Sequence, residues 1–385
     1  MTETSDPSLL TEVRRYGVFN ARGCFNCGSC TIDCDLATDS ASFPRRTMQS
    51  VVLGLKDSVH QSFDPWLCHD CGDCSVTCPR EAKPRESMKT LRRYLTAQYD
   101  WTGLSRVICR SPGWEIGALS LVAGLVLALI ILYHLYVEHL EMSVFRSTAM
   151  GLEHMFSRIT YFTVAVFLLS AFFIASHAAR MLSLTMRHGP HGVIPLKYYL
   201  AEAKTMFLQM VTHRQTLKCP ATMQKRRWAM HWLLAFGCCL MFVIKFFFLR
   251  WFQTDKILPI YNPQRWLGYM AAAFLVAGTL DLLIERARKR QPIYRQSGLR
   301  DLMLPVLILL TALSGIAVHV LRYVGLGLGA HYCYAVHLMI AVPMLLVEIP
   351  FGGSSHMIYR PLALYFAAVK ERALEAEIRL EEKIA

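Results

Sequence analysis

At 385 residues the chain is long enough for two or three domains, and at 54% hydrophobic with a mean hydropathy of +0.32 it is too apolar for an ordinary soluble protein. A formal charge of +13 would suggest nucleic acid in a soluble chain. Here the cations fall in loops between apolar runs, where a membrane protein keeps them, and no aromatic-interleaved basic patch or phosphate-cradling glycine loop accompanies them, which argues against a nucleic-acid partner.

The N-terminus, MTETSDPSLLTEVRRYG, has neither an apolar core nor a small-residue cleavage site, so the first domain is expected to stay in the cytoplasm. The pattern C-x2-C-x2-C-x3-C then occurs twice, as Cys24, Cys27, Cys30, Cys34 and as Cys68, Cys71, Cys74, Cys78. A [4Fe–4S] cube needs four converging thiolates, and this spacing lets one loop supply three and a distant cysteine the fourth. In two-cluster ferredoxins the fourth cysteine of each run serves the other cube. The expected sets are therefore Cys24, Cys27, Cys30 and Cys78, and Cys68, Cys71, Cys74 and Cys34. Zinc is the alternative for paired C-x2-C motifs, but zinc ribbons have no use for two matched quartets. Disulfides would require an oxidising compartment. Pro79 follows the second quartet, whereas Asp35 stands at the corresponding place after the first.

Between the quartets Pro44 opens a segment in which Met48, Val51, Val52, Leu55 and Val59 recur at helical spacing. Phe43, Trp66 and Leu67 are the expected apolar cover. After Pro79 an amphipathic helix carries Met88, Leu91, Tyr94 and Leu95 on one side, and residues 100–112 read as a linker. Residues 1–110 are thus expected to be a cytoplasmic helical ferredoxin domain with two [4Fe–4S] clusters.

Six apolar segments follow, near 115–136, 157–179, 229–250, 266–284, 301–321 and 333–350, each close to the ~20 residues that cross a bilayer. The 180–228 loop carries nine cations from Arg180 to Arg227, and 286–300 carries Arg286, Arg288, Lys289, Arg290, Arg295 and Arg300. Loops 137–156, 251–265 and 322–332 are poor in them. The alternation places both termini in the cytoplasm and the chain in the cytoplasmic (inner) membrane. The expected architecture is all-α: a membrane domain over 111–360 and a charged helical tail over 361–385. Within the long basic loop, Leu196, Tyr199, Leu200, Ala203, Met206, Phe207, Met210 and Val211 form an apolar helical stripe that either lies at the membrane interface, docks a partner or packs on the protein's own helices.

Histidine at membrane depth points to b-type haem. At the cytoplasmic level stand His177, His231 and His356; at the outer level His154, His319 and His337 are the main candidates. His337 and His356 lie nineteen positions apart, nearly the ~30 Å of an apolar core at ~1.5 Å per residue, so one helix could serve two levels. Lys245 and Glu348 are the candidates for quinone contact and proton transfer. Adjacent Cys238 and Cys239 read as small packing residues.

The segment H-x12-P-F-x4-H, from His337 to His356, resembles the last helix of the nitrate reductase gamma subunit family, where two histidines bind two stacked b haems. Here His337 is one residue farther from the proline. RRWAMHWLLAFG resembles that family's other ligand helix and implies His231 as the cytoplasmic-side ligand. That family has a second histidine ten residues on, where this chain has Met241, so an outer haem would need another partner, His154 or His319. The N-terminal stretches CGSCTIDC, FPRRTMQSVVLGLKDS and PWLCHDCGDCSVTCPREAKP resemble the C subunit of heterodisulfide reductase. The fusion of the two parts resembles the C subunit of the quinone-interacting membrane-bound oxidoreductase complex. That resemblance implies one or two b haems, and electron exchange between the quinone pool and flavin-containing partner subunits, linked to adenylylsulfate reductase in sulfur metabolism. Rival readings are a heterodisulfide-reductase-type membrane subunit for another catalytic partner and a membrane redox sensor. No Rossmann fingerprint, catalytic triad or flavin motif is present.

Overall fold

The computed structural model describes residues 4–37, 42–136, 147, 152–186, 194–213, 224–252, 254, 256–290, 294, 297–353 and 356–384, and among these there are helices and no strands. The N-terminal part comprises α1 (Leu9–Arg14), α2 (Ser29–Ile32), α3 (Arg45–Val52), α4 (Lys56–Gln61), α5 (Asp64–Leu67), α6 (Asp73–Val76), α7 (Pro84–Tyr99) and α8 (Leu104–Ile108). Pro84 opens α7, where its missing N–H costs nothing. The stripe Met88, Leu91, Tyr94 and Leu95 is fully buried, as its spacing predicts. The helix expected after Pro44 is instead split into α3 and α4. Gly54, at φ +74°, turns the chain against Asp6, whose carbonyl oxygen would lie 2.4 Å from any added Cβ. Met48, Val51 and Val59 stay inside, and Val52 is turned out to solvent.

Among the described residues six helices are long and apolar enough to cross a membrane. They are α9 (Pro112–Tyr136), α10 (Leu152–Met186), α12 (Gln224–Phe247), α13 (Pro263–Arg288), α14 (Leu299–Val324) and the helical run that begins with α15 (Gly327–Pro343), with α11 (Leu196–Thr212) between the second and third. Neighbours run α12, α13, α14, α15, α9. Phe167 of α10 meets Phe242 and Phe246 of α12 and closes the set into a ring. Gly237 and Gly278 let α12 and α13 approach closely: a Cβ on Gly278 would sit 2.7 Å from that of Leu234. Leu121, Leu125 and Leu129 on α9 are exposed, the pattern of a face turned to lipid.

After α15 the chain runs through a π-helical turn (Met344–Glu348), and α16 (His356–Ile384) follows. His356 therefore opens a new helix, and the residues between His337 and His356 do not form one uninterrupted α-helix. Tyr359, Ala363, Phe366 and Val369 of α16, with Met181 and Met186 of α10, share one apolar core with the N-terminal helices. There Tyr359 packs on Trp66 and Tyr99 at ring-centre distances of 5.0 and 5.1 Å. The expected boundary at 360/361 thus falls inside a continuous helix.

α11 packs along α16. Its last carbonyls, on Val211 and Thr212, accept from the indoles of Trp232 and Trp228. Leu196, Leu200 and Phe207 of its apolar stripe remain exposed, so they do not pack on the protein's own helices.

Candidate iron–sulfur and histidine sites

The two cysteine quartets fold as a repeat. Asn26 and Asp70, each third from the start of its motif, take left-handed φ values of 57° and 58°, and Gly28 and Gly72 follow at 90° and 96° as N-caps of α2 and α6. Each glycine directly follows the second cysteine and makes the reversal that brings the third cysteine back toward the first two. α2 and α6 pack together, joined by a 2.6 Å hydrogen bond from Thr77 to Asp33.

This packing places cysteines of the two runs side by side. A cavity is lined by Cys34, Cys68, Cys71 and Cys74, and also by Phe43 and His69. Cys30 lies within electrostatic range of Cys24, Cys27 and Cys78. Burial pushes the Cys34 thiol up to about 11, with Cys68 and Cys71 adding to the shift. Thiols crowded in this way resist ionising together unless a cationic centre compensates. Among the described residues no three His, Cys, Asp or Glu side chains converge tightly enough for a single ion. A zinc tetrahedron with bonds of ~2.3 Å would demand such convergence.

The second loop is tied to the membrane helices by charge. Asp70 accepts from the buried Arg85 at 2.8 Å, and Lys89 lies 3.6 Å from Asp70 and 3.3 Å from Asp301 of α14. Burial alone would raise the Asp70 carboxyl, but Lys89, Arg85 and Arg92 hold it down at about 2. Between the cysteines, His69 accepts at Nδ1 from the Arg360 guanidinium of α16 at 2.8 Å. Arg92 fixes the same loop through the carbonyls of Pro65 and Cys68, 2.6 Å each.

Arg360 is also within electrostatic range of His356 and His231, which lie within range of each other. Both histidines keep solvent-accessible surface. His213, the left-handed C-cap of α11, stands against His231 with ring centres 5.1 Å apart and ring planes inclined at 63°. Sequence reading did not single out His69 or His213. Their partners lie on remote elements, and no spacing marks them.

The other candidates separate. His177 is buried, with Nε2 3.3 Å from Asp100 and its ring against Phe351, at the joint between the domains. His319 is held between Arg265 at 3.2 Å and Tyr269 at 3.3 Å. His337 meets Ser314 at 2.9 Å, with Gly315 beneath its ring and Lys245 within electrostatic range. Because α15 begins at Gly327, His337 lies ~15 Å along it, deeper than the expected span start at 333 implies. The His154 side chain lies outside the described residues. Met241 packs in an apolar cluster with Leu275, Ile308 and Met344. Cys238 packs against the same cluster, and Cys239 is exposed.

Glu348 is fully buried in the π-helical turn, where a Cβ on Gly352 would approach its Oε2 to 2.5 Å. Nearby, and missed by sequence reading, Glu115 is buried. It accepts from the Gly353 N–H at 3.2 Å and faces Arg300 at 3.5 Å.

Residues 23–83 match the family of the 4Fe-4S dicluster domain. Both cysteine quartets lie within the matched residues. Among curated relatives, the chain is 40% identical over 75 residues to an iron-sulfur C-type subunit of the CoB–CoM heterodisulfide reductase of Methanocaldococcus jannaschii, covering 20% of this chain and 40% of the relative. It is 30% identical over 88 residues to a protein of Archaeoglobus profundus that is itself like the C subunit of heterodisulfide reductase, with 23% and 47% covered. It is 38% identical over 81 residues to the C2 subunit of the H2/formate:CoB-CoM heterodisulfide,ferredoxin reductase of Methanococcus maripaludis, with 21% and 43% covered. The chain spans less than half the length of these relatives. No solved structure matches it.

Proposed function

We propose that this chain is a membrane-anchored electron-transfer subunit, exchanging electrons between the quinone pool and cytoplasmic flavin- and iron–sulfur-containing partner subunits. The observation that carries this reading is the contact of His69 with Arg360, which joins the second cysteine loop to the helix that carries His356. Cys24, Cys27, Cys30 and Cys78 would hold one [4Fe–4S] cube, and Cys34, Cys68, Cys71 and Cys74 the other.

A b-type haem fits the inner histidines. His231 and His356 come from different helices, lie within electrostatic range of each other, and both have accessible surface. They would hold it, and the haem and cubes would supply one-electron exchange when bound. Arg360 and Arg227 are cations beside the pair, suited to propionates. Arg226 is committed to Asp281 and to Glu285 at 3.1 Å. Arg360 orients His69 against the second cysteine loop, and Arg92 holds that loop's backbone. Glu348, buried near Glu115 and Arg300, is assigned to proton exchange on the cytoplasmic side, and Lys245 to quinone contact.

The relatives favour a second reading of the partner, a catalytic subunit of heterodisulfide reductase type. The resemblance of the whole chain favours a partner serving adenylylsulfate reductase. Purification of the full chain from its native membrane, with iron and haem analysis and identification of the co-purifying subunits, tests both. About eight cluster irons, b haem reducible by a quinol analogue, and a flavoprotein partner are expected. Haem that does not equilibrate with quinol would overturn the electron-transfer reading in favour of a sensor.

A further inference from the structure

A helix on the surface of a water-soluble domain turns its apolar face inward, and α11 does the reverse. Its half-buried side holds Tyr199, Glu202 and Gln209. There the Tyr199 carbonyl accepts from the Tyr365 hydroxyl of α16 at 2.8 Å, and Glu202 pairs with Arg372 of the same helix. On the opposite side Leu196, Leu200, Ala203, Phe207 and Val211 recur every three or four residues, and all are exposed. Leu196 and Leu200 are each 70% exposed and Phe207 65%, which makes a contiguous apolar strip along the whole helix rather than scattered surface residues.

The surroundings of this strip identify its cover. At its C-terminal end the indole N–H groups of Trp232 and Trp228 donate to the Val211 and Thr212 carbonyls at 2.7 and 3.0 Å. Both tryptophans stand near the first residue of α12, at the end that the loop cations place on the cytoplasmic side. Trp232 stacks on Phe236 with ring centres 5.2 Å apart, and Phe236 is exposed on the flank of a helix long and apolar enough to cross a bilayer. The apolar strip of α11 is thus joined through Trp232 to that flank of α12. Tryptophan, apolar in its ring and polar at its N–H, concentrates at the headgroup level. Lys197 and Lys204 are exposed along one edge of the strip, where their long stems let the ammonium groups reach headgroup phosphates while neighbouring side chains sit among acyl chains.

We propose that α11 lies in the headgroup–acyl boundary of the cytoplasmic leaflet, with its apolar strip in the lipid and Lys197 and Lys204 on lipid phosphates. Its other side grips α16, which carries His356 and Arg360, and its C-cap His213 meets His231. The bilayer surface thereby braces, through α11, the helix that joins the membrane bundle to the N-terminal core.

The test places the photo-crosslinking residue p-benzoylphenylalanine at Leu200 or Phe207 of the full chain, with its co-purifying subunits, in the native membrane. Illumination and mass spectrometry should show the chain carrying the added mass of a phospholipid and no adduct with another polypeptide. The same residue at Tyr198, which lines the groove between α11 and α16, should crosslink within the chain and take up no lipid. Lys197→Glu combined with Lys204→Glu should lower the lipid yield at position 207 by about twofold or more, and an unchanged yield overturns the phosphate contacts. An adduct of position 200 or 207 with another subunit overturns the proposal in favour of a protein partner. Absence of adducts at both positions while position 198 reacts shows a face open to water and overturns it too, as does lipid uptake at position 198.

Discussion

Arg360, on the helix that leaves the membrane, donates to Nδ1 of His69, which sits between two cysteines of the second motif and is 291 positions away in the chain. Because guanidinium can only donate, His69 carries its proton on Nε2. The histidine is thereby fixed in one tautomer and one orientation between the cysteine loop and the His231–His356 pair. The contact couples the two proposed cofactor sites through a single charged hydrogen bond, stronger than a neutral one.

Replacing Arg360 with Gln keeps a donor and removes the charge. An adjacent cation favours the reduced, more negative state of a cluster. The potential of the cluster at Cys68, Cys71 and Cys74 is therefore expected to fall by tens of millivolts, for roughly 1–2 kcal/mol of lost stabilisation. The signal of the Cys24 site should stay in place. A redox titration followed by electron paramagnetic resonance separates the two, and an equal shift in both would contradict the assignment.

Cys34 lines the cavity of the second motif, and Cys78 lies near Cys30 of the first. Cys34→Ser should therefore alter the spectrum of the cluster held by Cys68, Cys71 and Cys74, and Cys78→Ser that of the other. Damage confined in each case to the motif that contains the substituted residue would show that the fourth ligands are not exchanged.

His231→Ala and His356→Ala should remove the same haem, seen as identical losses in the α-band of reduced protein. His213→Ala leaves the proposed axial pair intact. It is expected to keep the haem and to change only its spectrum or potential, through the ring that abuts His231. Loss of different haems from the first two variants would break the inner pair.

Asp100 joins the domains through His177. Burial alone would raise its carboxyl, but the His177 imidazole 3.3 Å away and hydrogen bonds from Thr102 and the Ser105 N–H hold it far below the ordinary range. A carboxyl whose folded pKa is depressed stabilises the fold above its unfolded value, near pH ~4, and that contribution is lost as the pH falls toward the folded value. Asp100→Asn should cost about 2 kcal/mol at neutral pH. Its thermal midpoint should depend less steeply on acid than that of the parent below pH ~4. Equal acid sensitivity in both would count against this joint.

The loop cations require position 205 to face the cytoplasm and positions 258 and 327 to face outside. Single cysteines labelled with an impermeant reagent in intact cells should react at 258 and 327 and not at 205. Positions 146 and 293, expected outside and inside respectively, lie outside the described residues and can be labelled in the same series.

The cysteine motifs, the six apolar runs and the stripe of α7 were legible because each is a local period: ligand spacing, span length, helical repeat. The split between α3 and α4 was hidden because it depends on Asp6 lying against Gly54, a contact between distant segments. The π-helical turn had no local mark beyond Pro343 and Pro350, and the commitment of Arg226 to Asp281 and Glu285 needed the packing of α12 on α13. His69 reads in sequence as filler between ligands. Its importance comes from Arg360, which no pattern places beside it. Span position sorts the histidines by expected depth, but depth alone does not say which of them face each other.

The helix α16 also constrains biosynthesis. Tyr359, Ala363, Phe366 and Val369 complete the core around Trp66 and Tyr99, yet they are translated after every apolar span. The N-terminal cysteines therefore leave the ribosome long before the surface that covers their domain exists. Final closure of that domain waits until every apolar span and α16 have been synthesised.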